Sequence, residues 1–286
     1  MLGLLAAGRV QSHAGEMQTF NGCSLIVTEW ADGDSFRVKF PDGNEHTVRL
    51  YGVDCIEARI SDTTDARRLR SQRRYFGISN YSDGEIDSSS RAKEYGRKSA
   101  ELVRRLLAKK FTVHTAFADA GGDGKYKRIY GYVDMANGED LGGHLVELGL
   151  ARAFGVKRER PGVITGEEYM EGLRDLELQA AKRSAGIWRY TDWDSLPGER
   201  KKERDEEAEL KRDVNGGGAI ALASINPNHA PRDQLMQLPG IGETMANRII
   251  EGREDGLYRK PEDLARVRGI GLGTIKNLRK YLSFQK

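Results

Sequence analysis

The clearest pattern along the chain is a strict alternation of apolar and polar positions around Phe36, Val38 and Phe40. The alternation resumes at residues 46–53, after the turn-forming stretch at residues 41–44, which reads P-D-G-N. A period of two predicts β-strands, and a cluster of Pro, Asp, Gly and Asn between two such runs predicts a turn. We therefore expect a β-hairpin early in the chain.

Strand-like and helix-like patterns succeed one another further along. An apolar stripe at helical spacing predicts a helix at residues 91–108, and a capping box formed by Thr165 and Glu168 predicts the start of another. The other predicted elements are a first strand, two later strands, a short helix and an extended piece, at residues 24–30, 111–117, 129–133, 141–148 and 151–154. Short strands closed by helices favour an α+β fold built on an OB-type barrel.

A polar stretch at residues 58–90 interrupts this pattern. It holds five arginines between positions 67 and 74, then Tyr75 and Phe76, and then a tract rich in Ser, Asp and Gly. Arginines beside aromatic side chains can bind phosphates and stack on bases. The alternative is a mobile, solvated loop, because basic runs are often only that. The residues leave both interpretations open.

Residues 195–224 have the composition of a linker. Positions 199–213 are almost wholly charged, which is compatible with a solvated helix, and the three glycines at 216–218 break regular structure. We therefore expect separate domains on the two sides of this stretch.

Two copies of one short motif lie beyond the linker. Residues 235–242 read L-M-Q-L-P-G-I-G and residues 264–271 read L-A-R-V-R-G-I-G, each between apolar helical patterns. A Gly-Ile-Gly turn at the start of a helix points backbone N–H groups outward, and such groups bind phosphates without any base contact. One copy would fit a plain pair of helices with a glycine turn, whereas two copies favour a phosphate-binding surface.

Carboxylates collect at the ends of the predicted hairpin. Asp32 and Asp34 come before it, Asp54 and Glu57 follow it, and Arg49 lies on its second strand. Calcium and magnesium take oxygen ligands, and a spare carboxylate can deprotonate a water for attack on phosphorus. The pattern indicates a metal-assisted phosphodiesterase. The alternative is that Asp and Gly are simply the residues that turns prefer.

The order of three motifs resembles the staphylococcal nuclease (thermonuclease) family. These motifs are D-G-D-S-F-R-V, V-R-L-Y-G-V-D-C-I-E and K-Y-K-R-I-Y-G-Y-V. The likeness continues through G-L-A-R-A and L-Q-A-A-K-R-S-A-G-I-W and covers about residues 24–190. The resemblance implies a five-stranded OB-type barrel with helices, and a nuclease activity.

The same resemblance implies a set of site residues. In that family calcium, rather than magnesium, is held by two aspartates and a backbone carbonyl, which here match Asp34, Asp54 and the carbonyl of Cys55. The glutamate that activates the water matches Glu57. The arginines that clamp the phosphate match Arg49 and Arg128, and residues lining the nucleotide pocket match Lys125 and Tyr126.

The chain departs from the family pattern in two places. Cys55 and Ile56 stand where the family has Thr-Pro, and the loss of proline leaves the catalytic loop less fixed. A second pocket tyrosine would fall near Phe154 and Gly155. We expect weaker binding of a terminal phosphate as a result, without loss of cleavage.

The C-terminal residues 225–282 resemble the tandem helix-hairpin-helix domain of the competence-type DNA-uptake proteins (ComEA-like), on the sequence I-N-P-N-H-A-P-R-D-Q-L-M-Q-L-P-G-I-G. The resemblance implies a small all-α domain that binds the phosphate backbone of duplex DNA without sequence preference. The predicted DNA-binding residues of its two turns are Gly240, Ile241, Gly242, Gly269, Ile270 and Gly271. Lys276, Arg279 and Lys280 would add salt-sensitive affinity.

Composition changes this picture little. Charged residues make up 31% of the chain and the formal net charge is +3, so bulk charge identifies no partner. Its distribution is more useful, because residues 266–286 hold six Lys or Arg and no acid. No run approaches the ~20 apolar residues of a membrane span. Cys23 and Cys55, without a C-x-x-C motif or a His cluster, argue against a zinc site, and their pairing stays open.

The start of the chain allows two interpretations. Residues 2–7 are apolar, but a signal peptide needs an apolar region of about 7–15 residues after basic residues. The tripeptide S-H-A at residues 12–14 would nevertheless suit a cleavage site. A signal peptide truncated by a misassigned start codon predicts a secreted or periplasmic protein. A disordered start predicts a cytoplasmic one.

Together these features predict a calcium-dependent endonuclease of the thermonuclease type that leaves 3′-phosphate ends. Its predicted parts are a disordered start or remnant signal segment, a catalytic barrel, a linker and a DNA-binding domain, at residues 1–20, 21–192, 193–224 and 225–286. Two alternatives stay open: a non-catalytic DNA-binding or uptake protein with a degenerate barrel, and an RNA-processing enzyme. The helix-hairpin-helix repeat favours duplex DNA over RNA or single-stranded DNA. The residues do not indicate an oligomeric state.

Overall fold

The computed structural model describes residues 16–121, 128–162, 165–216, 225–230 and 232–284. Within these ranges the chain forms a barrel with helices packed around it, followed by a helical C-terminal part. Lys125 and Tyr126, the predicted pocket residues, lie outside the described residues, as does the larger part of the predicted start.

The strands of the described chain follow one another as β1 Gln18–Ile26, β2 Ser35–Lys39, β3 Glu45–Leu50, β4 Val53–Cys55, β5 Ser82–Asp83, β6 Ile86–Asp87, β7 Phe111–Thr115, β8 Arg128–Asp134 and β9 Ala151–Ala153. Its α-helices are α1 Thr63–Tyr75, α2 Ser88–Leu106, α3 Leu141–Glu147, α4 Gly166–Lys182, α5 Leu196–Gly216, α6 Arg232–Leu235, α7 Glu243–Glu251 and α8 Leu272–Leu278. Short 3₁₀ helices cover Gly186–Tyr190, Pro261–Arg266 and Arg279–Tyr281.

Five of these strands close into a barrel, which confirms the predicted five-stranded architecture. Their order is β1, β2, β3, β8 and β7, and β7 pairs back onto β1. Neighbouring strands are antiparallel except for β3 and β8, which run parallel. The predicted apolar face of the hairpin fills the interior, with Phe36, Val38, Val48 and Leu50 all buried.

The first strand lies earlier in the chain than its pattern predicts. The prediction placed it at residues 24–30, whereas β1 covers Gln18–Ile26. A bulge at Gly22, with φ of +82°, interrupts the pairing with β7, which resumes at Cys23, and the pairing with β2 begins at Ser24. Residues 18–22, which are polar or glycine apart from Phe20, therefore belong to the strand because of their pairing with β7, which outweighs local pattern.

The polar insertion is ordered, so its interpretation as a mobile loop is wrong for the described residues. Asp62 caps α1 by accepting hydrogen bonds from the backbone N–H groups of Thr64 and Asp65, at 2.7 and 2.9 Å. Leu69 and Phe76 are fully buried and anchor the helix to the core. The two short strands β5 and β6 then form a hairpin before α2. Helix α1 and this hairpin therefore give the insertion a regular structure that is anchored to the core.

The predicted solvated helix in the linker packs against α1. Arg74 of α1 forms ion pairs with Glu203 and Glu206 of α5, at 2.5 and 2.6 Å. Arg200 of α5 donates to the carbonyl oxygen of Tyr75 at 2.9 Å. The acids of α5 therefore neutralise arginines that the sequence leaves free for phosphate, and α5 is part of the packed structure.

The helical C-terminal part also contacts the barrel. The backbone N–H of Lys157 donates to the carboxylate of Glu251 at 3.1 Å, and the Arg158 guanidinium pairs with Glu254 at 2.9 Å. Both acids lie at the end of α7 or just after it, so the opposite end of α7 is left facing away from this contact. The C-terminal part is therefore docked on the barrel by charged groups.

Glu254 makes this contact sensitive to pH. Burial raises the pKa of Glu254 to about 7 from its usual 4.5, with Glu251 and Asp255 adding to the rise and Arg158 opposing it. The folded protein then binds this proton more tightly than the unfolded chain, so stability is lost as the pH rises from about 4.5 to 7. Because the side chain is partly solvated, we expect a loss on the order of 1 kcal/mol.

Urea unfolding at pH 5 and pH 8 measures this effect. Over that range the wild type should lose more free energy of unfolding than Glu254→Gln, which cannot ionise at this position. Glu159→Gln, at an exposed position, is the matched control and should behave as the wild type does. Equal losses in the wild type and in Glu254→Gln would contradict the assignment.

Among the described residues, Cys23 and Cys55 are both buried free thiols. Within the same described ranges, none of the helices is long and apolar enough to cross a membrane.

Candidate active site

The centre of the site is Arg49, which binds the two aspartates that are predicted to hold calcium. Its side chain is 8% exposed, and its guanidinium donates to Asp34 and to Asp54 at 3.0 Å each. Asp34 directly precedes β2, where Ser35 pairs with Arg49 of β3, and Asp54 lies on β4. Strand pairing of the predicted hairpin therefore brings these three side chains into one buried cluster.

Hydrogen bonds fix the turn that carries Asp34. The Asp32 carboxylate accepts from the backbone N–H of Ser35 at 2.7 Å, and the carbonyl of Asp34 accepts from Leu50 N–H at 2.8 Å. The Asp34 carboxylate in turn accepts from the backbone N–H of Cys55 at 2.7 Å. The acid just before β2 thus holds the end of β4.

Charge pairing keeps Asp54 and Arg49 ionised. Burial alone would raise the pKa of Asp54, but Arg152 and Arg49 outweigh it and hold the pKa of this carboxyl below its usual range. Burial also works against the charge on Arg49, yet Asp34 and Asp54 raise the pKa of its guanidinium above the usual value. A charged arginine therefore faces an ionised Asp54 at neutral pH.

Three residues that the sequence interpretation missed complete this cluster. Arg152 of β9 donates through Nε to Asp54 at 2.8 Å, and its guanidinium lies over the Phe154 ring at 4.4 Å. Gln72 and Arg68, both on α1, contact the segment from Asp54 to Glu57. A signal for Arg152 exists in the G-L-A-R-A motif, whereas Gln72 and Arg68 lie in a helix that the sequence presents as an irregular loop.

Glu57, the predicted base, is largely enclosed. Its side chain is 14% exposed and pairs with Arg68 at 3.1 Å. Burial raises the pKa of Glu57 to about 7, against the opposing effect of Arg68. A carboxylate with a pKa near neutrality can take a proton from water and give it up again.

Arg128, the second predicted clamp, has a different environment from Arg49. It begins β8, which runs parallel to β3, and its Nε is enclosed without a hydrogen-bond partner among the described residues. Burial, and then the nearby charge of Arg49, lower the pKa of this guanidinium. A desolvated guanidinium with an unused N–H group is suited to binding an anion such as a phosphate.

The donor oxygens fit calcium in chemical type but not in their present arrangement. Both carboxylates and the Cys55 carbonyl are hard oxygen donors, which calcium prefers. Each of these oxygens accepts a hydrogen bond from the protein, through Arg49, Arg152, Gln72, Ser35 Oγ and Cys55 N–H. Among the described residues, no group of three or more His, Cys, Asp or Glu side chains is arranged to hold a metal ion.

The predicted nucleotide pocket is only partly described. Phe154 supports Arg152, as its ring position shows, and does not offer the hydroxyl of a pocket tyrosine. Gly155, with φ of +137°, lies against Gly52, and the position carries no side chain. The neighbouring Lys157 and Arg158 contact the C-terminal part instead.

The predicted DNA-binding residues form two similar turns. Gly240 and Gly269 adopt φ of +77° and +98°, and Gly242 and Gly271 precede α7 and α8. Ile241 and Ile270 are buried in the helical core, so only their backbone groups can meet a ligand. Lys276 and Lys280 are exposed, whereas Arg279 pairs with Glu262.

A closed five-stranded barrel with an arginine–carboxylate cluster, joined to a pair of glycine turns at helix starts, defines a nuclease with a DNA-binding appendage. Residues 47–190 match the family described as staphylococcal nuclease homologues, and the chain belongs to this family. Residues 222–283 match the helix-hairpin-helix motif. Both findings confirm the domain order expected from the sequence.

A curated relative shares a shorter segment. The chain is 36% identical over 61 residues to a Xenopus laevis protein named endonuclease/exonuclease/phosphatase family domain-containing protein 1. The matched segment is 21% of this chain and 11% of that protein. The chain therefore spans about a tenth of the length of this relative.

Proposed function

We propose that this protein is a calcium-dependent endonuclease that hydrolyses DNA to 3′-phosphate ends, and that its helix-hairpin-helix domain binds duplex DNA without sequence preference. The observation that carries the proposal is that Glu57, Arg49 and Arg128 all lie close enough to Asp34, just before β2, to interact with its charge. A base and two guanidinium groups are what attack of water on a phosphodiester needs.

Each of these residues has a distinct role in the proposed reaction. Glu57 accepts the proton of the attacking water, which approaches phosphorus in line with the departing 5′ oxygen. Arg128 binds a non-bridging oxygen of the phosphate, because its guanidinium is desolvated and its Nε–H has no partner among the described residues. Arg49, which pairs with Asp34 and Asp54 in the unliganded protein, neutralises charge that develops on the phosphate.

The calcium dependence rests on donor chemistry alone. Asp34, Asp54 and the Cys55 carbonyl are the oxygens that would hold the ion, and Arg49 would have to release aspartate oxygens first. The Cys55 carbonyl has a second lone pair, so it can keep its hydrogen bond from Gln72. Plasmid cleavage with calcium, with magnesium and with a chelator measures the dependence. We expect cleavage in calcium and its loss on chelation.

A non-catalytic DNA-binding protein is the second candidate. The observation that favours it is the pairing of both aspartates with Arg49, which leaves their oxygens engaged. The same assay separates the two candidates: clean protein that binds DNA but never cleaves it in calcium would support the second.

The helix-hairpin-helix domain should control binding to long duplexes. We expect Lys276→Ala combined with Lys280→Ala to weaken binding to a long duplex about tenfold and to reduce the salt slope by about 2, because each lysine neutralises a phosphate. Turnover of a short oligonucleotide should stay within about twofold. Filter binding over a salt series, beside initial rates on the short substrate, measures both.

A two-lysine control tests the specificity of this effect. Lys201→Ala combined with Lys202→Ala removes the same charge from the exposed face of α5. It should leave the affinity for duplex DNA close to that of the wild type. Equal loss in both double variants would place the duplex-binding surface elsewhere.

A further inference from the structure

Gln72 of α1 is the residue that joins the catalytic loop, residues 54–57, to the rest of the molecule. Its side chain is 0% exposed. Its Oε1 accepts from the backbone N–H of Glu57 at 2.9 Å. Its Nε2 donates to the Cys55 carbonyl at 2.8 Å and to the Asp54 carboxylate at 3.0 Å. One amide group therefore contacts three of the four residues of the loop.

The catalytic loop needs such support from outside. Strand β4 ends at Cys55, so pairing with β9 does not extend to Ile56 or Glu57. Residue 56 is an isoleucine, which does not restrict its own backbone as a proline ring would. The carboxylate of Glu57 must nevertheless be held within a fraction of an ångström for efficient proton transfer.

Helix α1 is itself held firmly enough to provide this support. Its first turn is capped by Asp62, Leu69 is buried beneath it, and Arg74 is paired with two acids of α5. Arg68 lies one helical turn before Gln72 and therefore on the same face. Its guanidinium contacts the Glu57 carboxylate at 3.1 Å. Two residues on one face of α1 thus contact Glu57: Gln72 binds its backbone and Arg68 its side chain.

We propose that Gln72 is a positioning residue for the nuclease reaction, acting by fixing the backbone of the catalytic loop through its three hydrogen bonds. This inference rests on the proposed function. It assigns a role to the polar insertion: α1 forms one wall of the active site and replaces the rigidity that a proline would give to the loop.

Gln72→Met tests the proposal, since methionine keeps the length of the side chain and removes all three hydrogen bonds. We expect kcat on a short DNA substrate to fall about 10–100-fold, the range found for residues that orient a catalytic group through hydrogen bonds. KM should change less than about twofold, because Gln72 touches no substrate. Hydrogen exchange of the Glu57 amide should accelerate at least about tenfold, since it loses its acceptor.

Two further variants make the result specific. Gln72→Asn keeps the amide but is one methylene shorter, so it should give an intermediate kcat even if the methionine variant folds poorly. Gln179→Ala removes an exposed glutamine from α4 and should match the wild type in kcat and in hydrogen exchange.

The outcomes separate this role from the proposed function. A wild type without nuclease activity would refute the proposed function and this role with it. A wild type that cleaves, with a Gln72→Met variant of equal kcat, would refute this role alone. A Gln72→Met variant with higher kcat would also overturn it, because Gln72 would then obstruct the Cys55 carbonyl instead of fixing the loop.

Discussion

Replacing Glu57 with glutamine should lower kcat on plasmid DNA by about 10³-fold while leaving DNA binding within about twofold. Glutamine has nearly the same shape but cannot accept a proton from the attacking water. Its amide can still contact Arg68, so the surrounding segment keeps a partner at this position. Plasmid nicking rates, beside filter binding in the presence of a chelator, measure the two quantities separately.

A matched control separates the loss of the proton acceptor from the loss of one negative charge. Glu85→Gln makes the same substitution at an exposed position between β5 and β6, and its cleavage rate should equal that of the wild type. Cleavage by Glu57→Gln within about tenfold of the wild-type rate would mean that another group accepts the proton.

Replacing Arg128 with methionine should reduce activity and yet make the protein more stable. Within the described chain its Nε has no hydrogen-bond partner, and burial beside Arg49 lowers the pKa of its guanidinium. Holding this charge in place costs folding free energy, which substrate binding recovers. We expect kcat to fall about 10²–10³-fold. We expect the free energy of unfolding to rise by about 1 kcal/mol.

Arg49→Met is the contrasting variant. Arg49 is paired with both Asp34 and Asp54, so its removal leaves two buried carboxylates without their shared partner. It should lose activity and also lose about 3–5 kcal/mol of stability. Chemical denaturation beside initial rates measures the pair of variants. A loss of stability in Arg128→Met would show that Arg128 has a structural role in the unliganded protein.

The barrel was predictable because its hairpin is amphipathic. Phe36 and Val38 alternate with polar residues, and a turn rich in Pro, Gly and Asn fixes their register, so local pattern and tertiary fold agree. The first strand was misplaced because residues 18–22, apart from Phe20, are polar or glycine. Their pairing with β7 depends on a strand that lies some ninety positions further along the chain.

The arginine–carboxylate cluster was predictable only where its residues lie on the motifs that resemble the staphylococcal nuclease family. Asp34, Arg49, Asp54 and Glu57 come from one continuous stretch, and the structure brings Arg49 into contact with both aspartates. Gln72 could not be found in this way. Its contacts arise because a helix rich in arginine packs against the barrel, and composition alone presents that helix as a solvated segment.

The packing of α5 on α1 bears on how the enzyme can be divided for study. A fragment cut after residue 192 would contain every predicted catalytic group but would lack the acids that pair with Arg74 and the arginine that binds the Tyr75 carbonyl. The helix that contacts Glu57 would then be exposed along one side. The smallest fragment that keeps these contacts of α1 therefore extends beyond the barrel and includes α5.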